Sequence, residues 1–135
     1  MGYKIDEIEG IGPAYREKLT GADITSTDDL LEHCASAKGR KDIEAKTGVS
    51  ASHLLKWTNM ADLMRVSGVG RQYAELLEAS GVDTIKELRT RNVENLAKKM
   101  GEVNEEKHLS KSSPSESMVK DWIEQAKTTD PMITH

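Results

Sequence analysis

Apolar positions along the chain recur at helical spacing, and no stretch alternates in the strand pattern for long. Leu54, Trp57, Ala61 and Met64 stand three, four and three residues apart, which predicts the longest helix over roughly residues 53–66, opened by Ser50 or Ser52. Met118, Trp122 and Ala126 give the last helix a similar stripe, and Pro114 marks the turn into it. Pro13 suits a helical first turn, and Tyr15 and Leu19 then share one face. Ser26-x-x-Asp29 and Thr84-x-x-Glu87 read as starts of short helices, the second as a full capping box, while Ser36 and Asn92 read as caps of the helices that follow. Gly81 fits a left-handed helix end, Gly48 reads as the end of another helix, and Asp23 stands where Gly81 does when the chain is aligned on itself.

That alignment is an internal repeat. Shifting the chain by 58 residues lays residues 8–31 on residues 66–89. Gly10, Gly12, Tyr15, Glu17, Leu19 and Leu30 then meet Gly68, Gly70, Tyr73, Glu75, Leu77 and Leu88. At a shift of 65, Ser50, Trp57 and Ala61 meet Ser115, Trp122 and Ala126, so the second copy carries extra residues in the polar stretch 102–113. The copies are taken as residues 3–62 and 63–127, followed by a flexible tail over 128–135. Each copy is too small for a good core of its own, so the expected fold is all-α, two repeats packed as one compact pseudo-symmetric domain.

Composition fits this class. The chain has 135 residues and no Phe, so its core must be built from Leu, Ile, Val, Met and Ala. No apolar run is long enough to span a membrane, and the first residues have no signal-peptide core. Gly2 follows Met1, but Asp6 replaces the Ser or Thr of a myristoylation signal. A single cysteine, Cys34, excludes an internal disulfide and a multi-cysteine zinc site. A reducing, cytoplasmic setting is the expectation. Cys34 reads as a small buried residue, Trp57 and Trp122 as core anchors, and His53 and His108 as surface residues.

Each copy contains an apolar residue, a spacer, Gly-apolar-Gly and then a helix: Ile8-Glu9-Gly10-Ile11-Gly12 in the first, Val66-Ser67-Gly68-Val69-Gly70-Arg71 in the second. The expected geometry is a helix entering, a reversal over Gly-x-Gly with the middle residue as a plug, and a helix leaving. A dinucleotide fingerprint would need a preceding strand and a third glycine, but Tyr15 and Tyr73 stand in that region, and there is no Gly-Lys-Ser/Thr of a P-loop.

The pattern resembles the helix-hairpin-helix motif, in which bare hairpin amides grip a DNA phosphate without reading bases. Paired units of this kind resemble those that DNA-repair and topoisomerase proteins set across a minor groove. The Gly-x-Gly spacing is also similar to the C-terminal domain of the RNA polymerase α subunit, which contacts DNA and proteins. Over nearly its whole length the chain resembles an uncharacterised bacterial and archaeal family, a domain of unknown function related to helix-hairpin-helix proteins. The implied architecture is SAM/helix-hairpin-helix-like, and relatives of the hairpin allow a monovalent cation on its carbonyls.

Charge separates the two hairpins. The net charge is −4, which counts against tight nonspecific DNA binding. Residues 1–35 carry three basic and eight acidic side chains, and Glu7, Glu9 and Glu17 crowd the first hairpin. Pro13 removes one amide donor there. Residues 36–58 and 84–100 each carry five basic and two acidic side chains, with Lys38, Arg40, Lys41 and Lys46 in one and Lys86, Arg89, Arg91, Lys98 and Lys99 in the other.

Two functions follow as expectations. One is sequence-independent DNA binding by Gly68, Val69, Gly70 and Arg71, assisted by Arg89, Arg91, Lys98 and Lys99, with Gly10, Ile11 and Gly12 as a second candidate hairpin. The other is a protein-interaction adaptor or accessory subunit without nucleic-acid contact. No catalytic set or metal-ligand cluster emerges, so neither an enzyme nor a small-molecule substrate is expected.

Overall fold

A computed structural model describes residues 2–134 of the chain. Among them are eight α-helices: α1 Pro13–Thr20, α2 Thr27–Cys34, α3 Ala37–Thr47, α4 Ala51–Leu63, α5 Arg71–Ala79, α6 Ile85–Leu88, α7 Val93–Lys107 and α8 Glu116–Lys127. A 3-10 turn, Ile5–Glu7, precedes α1, and the only strand-like pairing among the described residues is an isolated bridge between Lys4 and Ser26. The all-α class expected from the sequence is what the structure shows.

The chain divides into two compact units. One comprises the described residues of Met1–Asp62 and Met132–His135, the other Leu63–Pro131. In the first, α2 packs on α3 and α1 on the 3-10 turn; in the second, α7 packs on α5 and α8, and α6 on α8. Aliphatic side chains and two tryptophans fill the cores. Ile8, Leu19, Ile24, Leu30 and Leu54 are buried in the first, and Leu76, Leu77, Ile85, Leu88 and Trp122 in the second.

Local signals set most helix ends. The hydroxyls of Ser26 and Ser36 accept the N–H of Asp29 and Gly39, and Asn92 Oδ1 accepts that of Asn95. Gly48 closes α3 at φ +78°. Gly81 (φ +93°) and Asp23 (φ +64°) both take the left-handed conformation after α5 and α1. Asp carries a Cβ penalty there that Gly lacks, and Asp23 is exposed, so Asp23→Gly should raise stability by a few tenths to about 1 kcal/mol. A urea-unfolding midpoint that falls instead would refute this.

The structure corrects several details. The capping box at Thr84 is half-formed: Thr84 Oγ1 accepts the Glu87 N–H at 3.3 Å, but the Glu87 carboxylate turns to Arg91 at 2.8 Å. In the other copy the N-cap is Ser26, and the third-position carboxylate bonds the residue before that cap. There Asp29 Oδ2 accepts from both the N–H and the hydroxyl of Thr25 at 3.0 Å, and these bonds hold its carboxyl below the ordinary value. The longest helix is α7, not α4. Helix α4 starts at Ala51 because Ser50, not Ser52, caps it, accepting the His53 N–H at 3.2 Å, and it ends at Leu63. From Trp57 to Leu63 every residue is buried, so this half of α4 is enclosed all round rather than along one stripe. Before the first Gly-x-Gly the expected entering helix is only the 3-10 turn. Near the end of the chain, the Thr134 N–H donates to Ala35 O at 2.8 Å and its carbonyl accepts from Arg40 at 2.8 Å.

Candidate nucleic-acid interface

The second hairpin is built from backbone turns on an aromatic floor. Val66 N–H bonds Leu63 O, and Val69 N–H bonds Val66 O, each at 3.1 Å. Both valines are buried, with Val69 the plug. Gly68 has φ +94°, and a Cβ there would lie 3.1 Å from Trp122 Nε1, so the hairpin rests against the indole. The Tyr73 ring leans on Trp122 at 5.1 Å between centroids. Gln125, one turn beyond Trp122, clamps Ser67 from both sides: its Oε1 accepts the Ser67 N–H at 2.9 Å and its Nε2 donates to Ser67 O at 3.2 Å. No sequence signal marks Gln125.

The first hairpin repeats the backbone but not the surroundings. Gly10 has φ +98°, and its Cβ would lie 3.2 Å from Trp57 Nε1. Ile11 is the buried plug, and Pro13 occupies the first turn of α1. Tyr15 meets Trp57 edge-on at 4.9 Å, and His53 stacks on Trp57 at 5.4 Å, where the second unit has Met118 instead. Glu7, Glu9 and Glu17 are exposed around it.

The two glycines of each hairpin differ in what the fold asks of them. Gly10 and Gly68 need positive φ and face an indole. Gly12 and Gly70 have extended φ of −90° and −94°, and a Cβ at either would meet nothing within 4 Å. They are also the N-caps of α1 and α5, which have no side-chain cap. The other six helices open on a Ser, Thr or Asn side chain that accepts a backbone N–H: Ser26, Ser36, Ser50, Thr84, Asn92 and Ser115. A helix start leaves orphan N–H donors. Gly70 offers α5 no capping side chain, and at α1 Pro13 also removes one donor.

The basic residues take different places. Arg40 is buried, and its guanidinium donates to Cys34 O, Ala35 O and Thr134 O at 2.8–3.1 Å. Arg89 donates to Ala126 O and Thr129 O at 2.7–3.3 Å, closing the C-terminal end of α8. Arg91 bonds Glu87 and Gly81 O. These three are structural fasteners. Arg71, Lys98 and Lys99 are exposed, as are Lys38, Lys41 and Lys46 on α3. Gly70 stands at the start of α5, whereas Lys99 and Arg91 line a cleft with Ser80 at its end. Nine helical residues, about 13 Å, separate the two places.

Other candidates take structural places. Cys34 is buried, and burial pushes its thiol up to about 11, with Arg40 and Thr58 acting in the opposite sense, so it stays protonated at neutral pH. His53 and His108 are exposed, and His108 ends α7 at φ +54°. Among the described residues no group of three or more His, Cys, Asp or Glu is placed to hold a metal ion. Three carbonyls at this second hairpin, of Leu63, Val66 and Ser67, each accept one N–H. No helix among the described residues is long and apolar enough to cross a membrane.

Fold and site define an all-α protein of short capped helices with two glycine hairpins, each seated on a tryptophan. Residues 9–129 match the family model described as Domain of unknown function (DUF4332), and the chain belongs to that family. No curated protein and no solved structure matches it.

Proposed function

We propose that the chain is a non-catalytic tandem helix-hairpin-helix module that contacts a nucleic-acid phosphate backbone, without reading sequence, through the second hairpin. The observation that carries this reading is Gly70. Its φ suits any residue and its Cβ would touch nothing, yet it is glycine, where six other helices use a capping side chain. A bare residue at an uncapped helix start leaves N–H donors open to an anion. Arg71 follows immediately and is exposed. Gly68, Val69 and Gly70 supply the turn and Arg71 the charge. Lys98 and Lys99 contribute only long-range attraction, because α5 separates Lys99's cleft from the hairpin. Arg89 and Arg91 hold the fold.

The first hairpin does not share this role. Pro13 takes away a donor and the glutamates repel phosphate. Its exposed acidic surround favours the adaptor reading there, with a protein partner on Gly10, Ile11 and Gly12.

Fluorescence anisotropy with a labelled duplex tests the proposal at about 50 and 200 mM salt. Contact with about two phosphates predicts roughly tenfold weaker binding at the higher salt. Arg71→Glu should weaken binding by a further tenfold or more. Gly70→Ala should leave the unfolding midpoint nearly unchanged and still reduce affinity, because its methyl stands where the phosphate approaches. A folded protein that shows no binding at the lower salt would sink this reading in favour of a protein partner.

A further inference from the structure

The cleft at the far end of α5 is separate from the hairpin. It has a volume of about 330 Å³ and lies among Ser80, Thr90, Arg91, Asn92, Asn95 and Lys99, all in the second unit. That volume is at the small end of ligand sites.

The hydrogen-bond inventory of its walls leaves more donors than acceptors open. The Ser80 hydroxyl donates to Leu76 O and the Thr90 hydroxyl to Glu87 O, both at 2.7 Å. Asn92 Oδ1 accepts the Asn95 N–H. Arg91 is held rigidly: Nε and Nη2 reach Glu87 Oε1 at 3.2 and 2.8 Å, and Nη2 also reaches Gly81 O at 2.7 Å. Among the described residues, Arg91 Nη1, Asn92 Nδ2, the Asn95 amide and Lys99 Nζ have no acceptor, and no carboxylate lines the cleft. Lys99, two side-chain amides and the free Nη1 of an Arg91 already paired with Glu87 therefore face a small volume with donors to offer. A ligand that supplies acceptors and negative charge complements them.

We infer that this cleft binds the phosphate group of a phosphorylated ligand, with Arg91 and Lys99 supplying charge and Asn92 and Asn95 the further donors. The fixed Arg91 fork is pre-organised for a phosphate oxygen. This site does not depend on the hairpin.

Amide chemical shifts of the labelled full chain, titrated with ribose 5-phosphate and separately with inorganic phosphate at constant ionic strength, test it. Saturable shifts confined to residue 80 and residues 90–99 are expected. Lys99→Ala and Asn95→Ala should each weaken binding, the lysine change by about tenfold. Both residues are exposed, so the variants should fold as the parent does, which circular dichroism checks. Arg71→Glu should leave these shifts unchanged, so the failure of one site is distinguishable from that of the other. Duplex DNA that displaces ribose 5-phosphate would identify a nucleic-acid backbone as the source of the phosphate; no displacement would identify a free ester. Shifts that fail to saturate, that spread equally to lysines such as Lys38 and Lys120, or that survive Lys99→Ala would overturn the proposal.

Discussion

Gly39→Ala is expected to lower stability by about 2–3 kcal/mol, against the direction helix propensity gives. Gly39 lies in the first turn of α3, where alanine would ordinarily gain up to about 1 kcal/mol. Its Cβ, however, would collide with His33 O and stand 3.2 Å from both His33 C and Ser36 Oγ. The obstacle is the backbone at the end of α2, so no rotamer change relieves it, and the α2–α3 corner must open. Arg40 is in the same corner, and opening it would disturb the bonds to Cys34 O and Ala35 O. Overpacking against a rigid wall therefore exceeds the propensity gain. The urea midpoint of the variant decides the sign, and an unchanged or higher midpoint would show that the corner yields freely.

This corner also shows which features were legible beforehand. Ser36 is readable as a cap because its partner is three residues away, and the same holds for Ser26 and Asn92. Gly48, Gly81 and Asp23 are readable because a left-handed helix end is a property of one residue and its neighbours. Arg40 is not. Its partner Thr134 lies 94 residues along the chain, and a charge count cannot tell a guanidinium that fastens carbonyls from one that faces water. The bond of Arg89 to Ala126 O, 37 residues away, is invisible in a charge count for the same reason. Part of the positive charge in these two segments is internal fastening.

The candidate site divides in the same way. The Gly-x-Gly pattern and its buried Ile11 and Val69 plugs are visible in the sequence, and the repeat points to Trp57 and Trp122 as matching residues. That each indole lies beneath the first glycine of its hairpin is a tertiary fact, as is the Gln125 clamp on Ser67. The separation of Arg71 from Lys99 follows once α5 has a defined length. Sequence clustering placed them together; the helix puts them at opposite ends.

Trp122→Ala is expected to cost about 3–5 kcal/mol, the largest effect of any change considered. The side chain is fully buried, carries the Tyr73 ring and forms the floor under Gly68. Its loss leaves a cavity that a β-carbon at residue 68 could begin to enter. Gly68→Ala alone should destabilise for two reasons, the positive φ and the 3.1 Å approach to Trp122 Nε1. In the Trp122→Ala background only the φ penalty remains. A double-mutant cycle on urea-unfolding free energies should therefore give a coupling of about 1 kcal/mol between the two sites. Strict additivity would mean that the indole does not shape the hairpin. Gly68 would then be glycine for its backbone alone, and the hairpin's position over α8 would owe more to the Gln125 clamp than to the tryptophan.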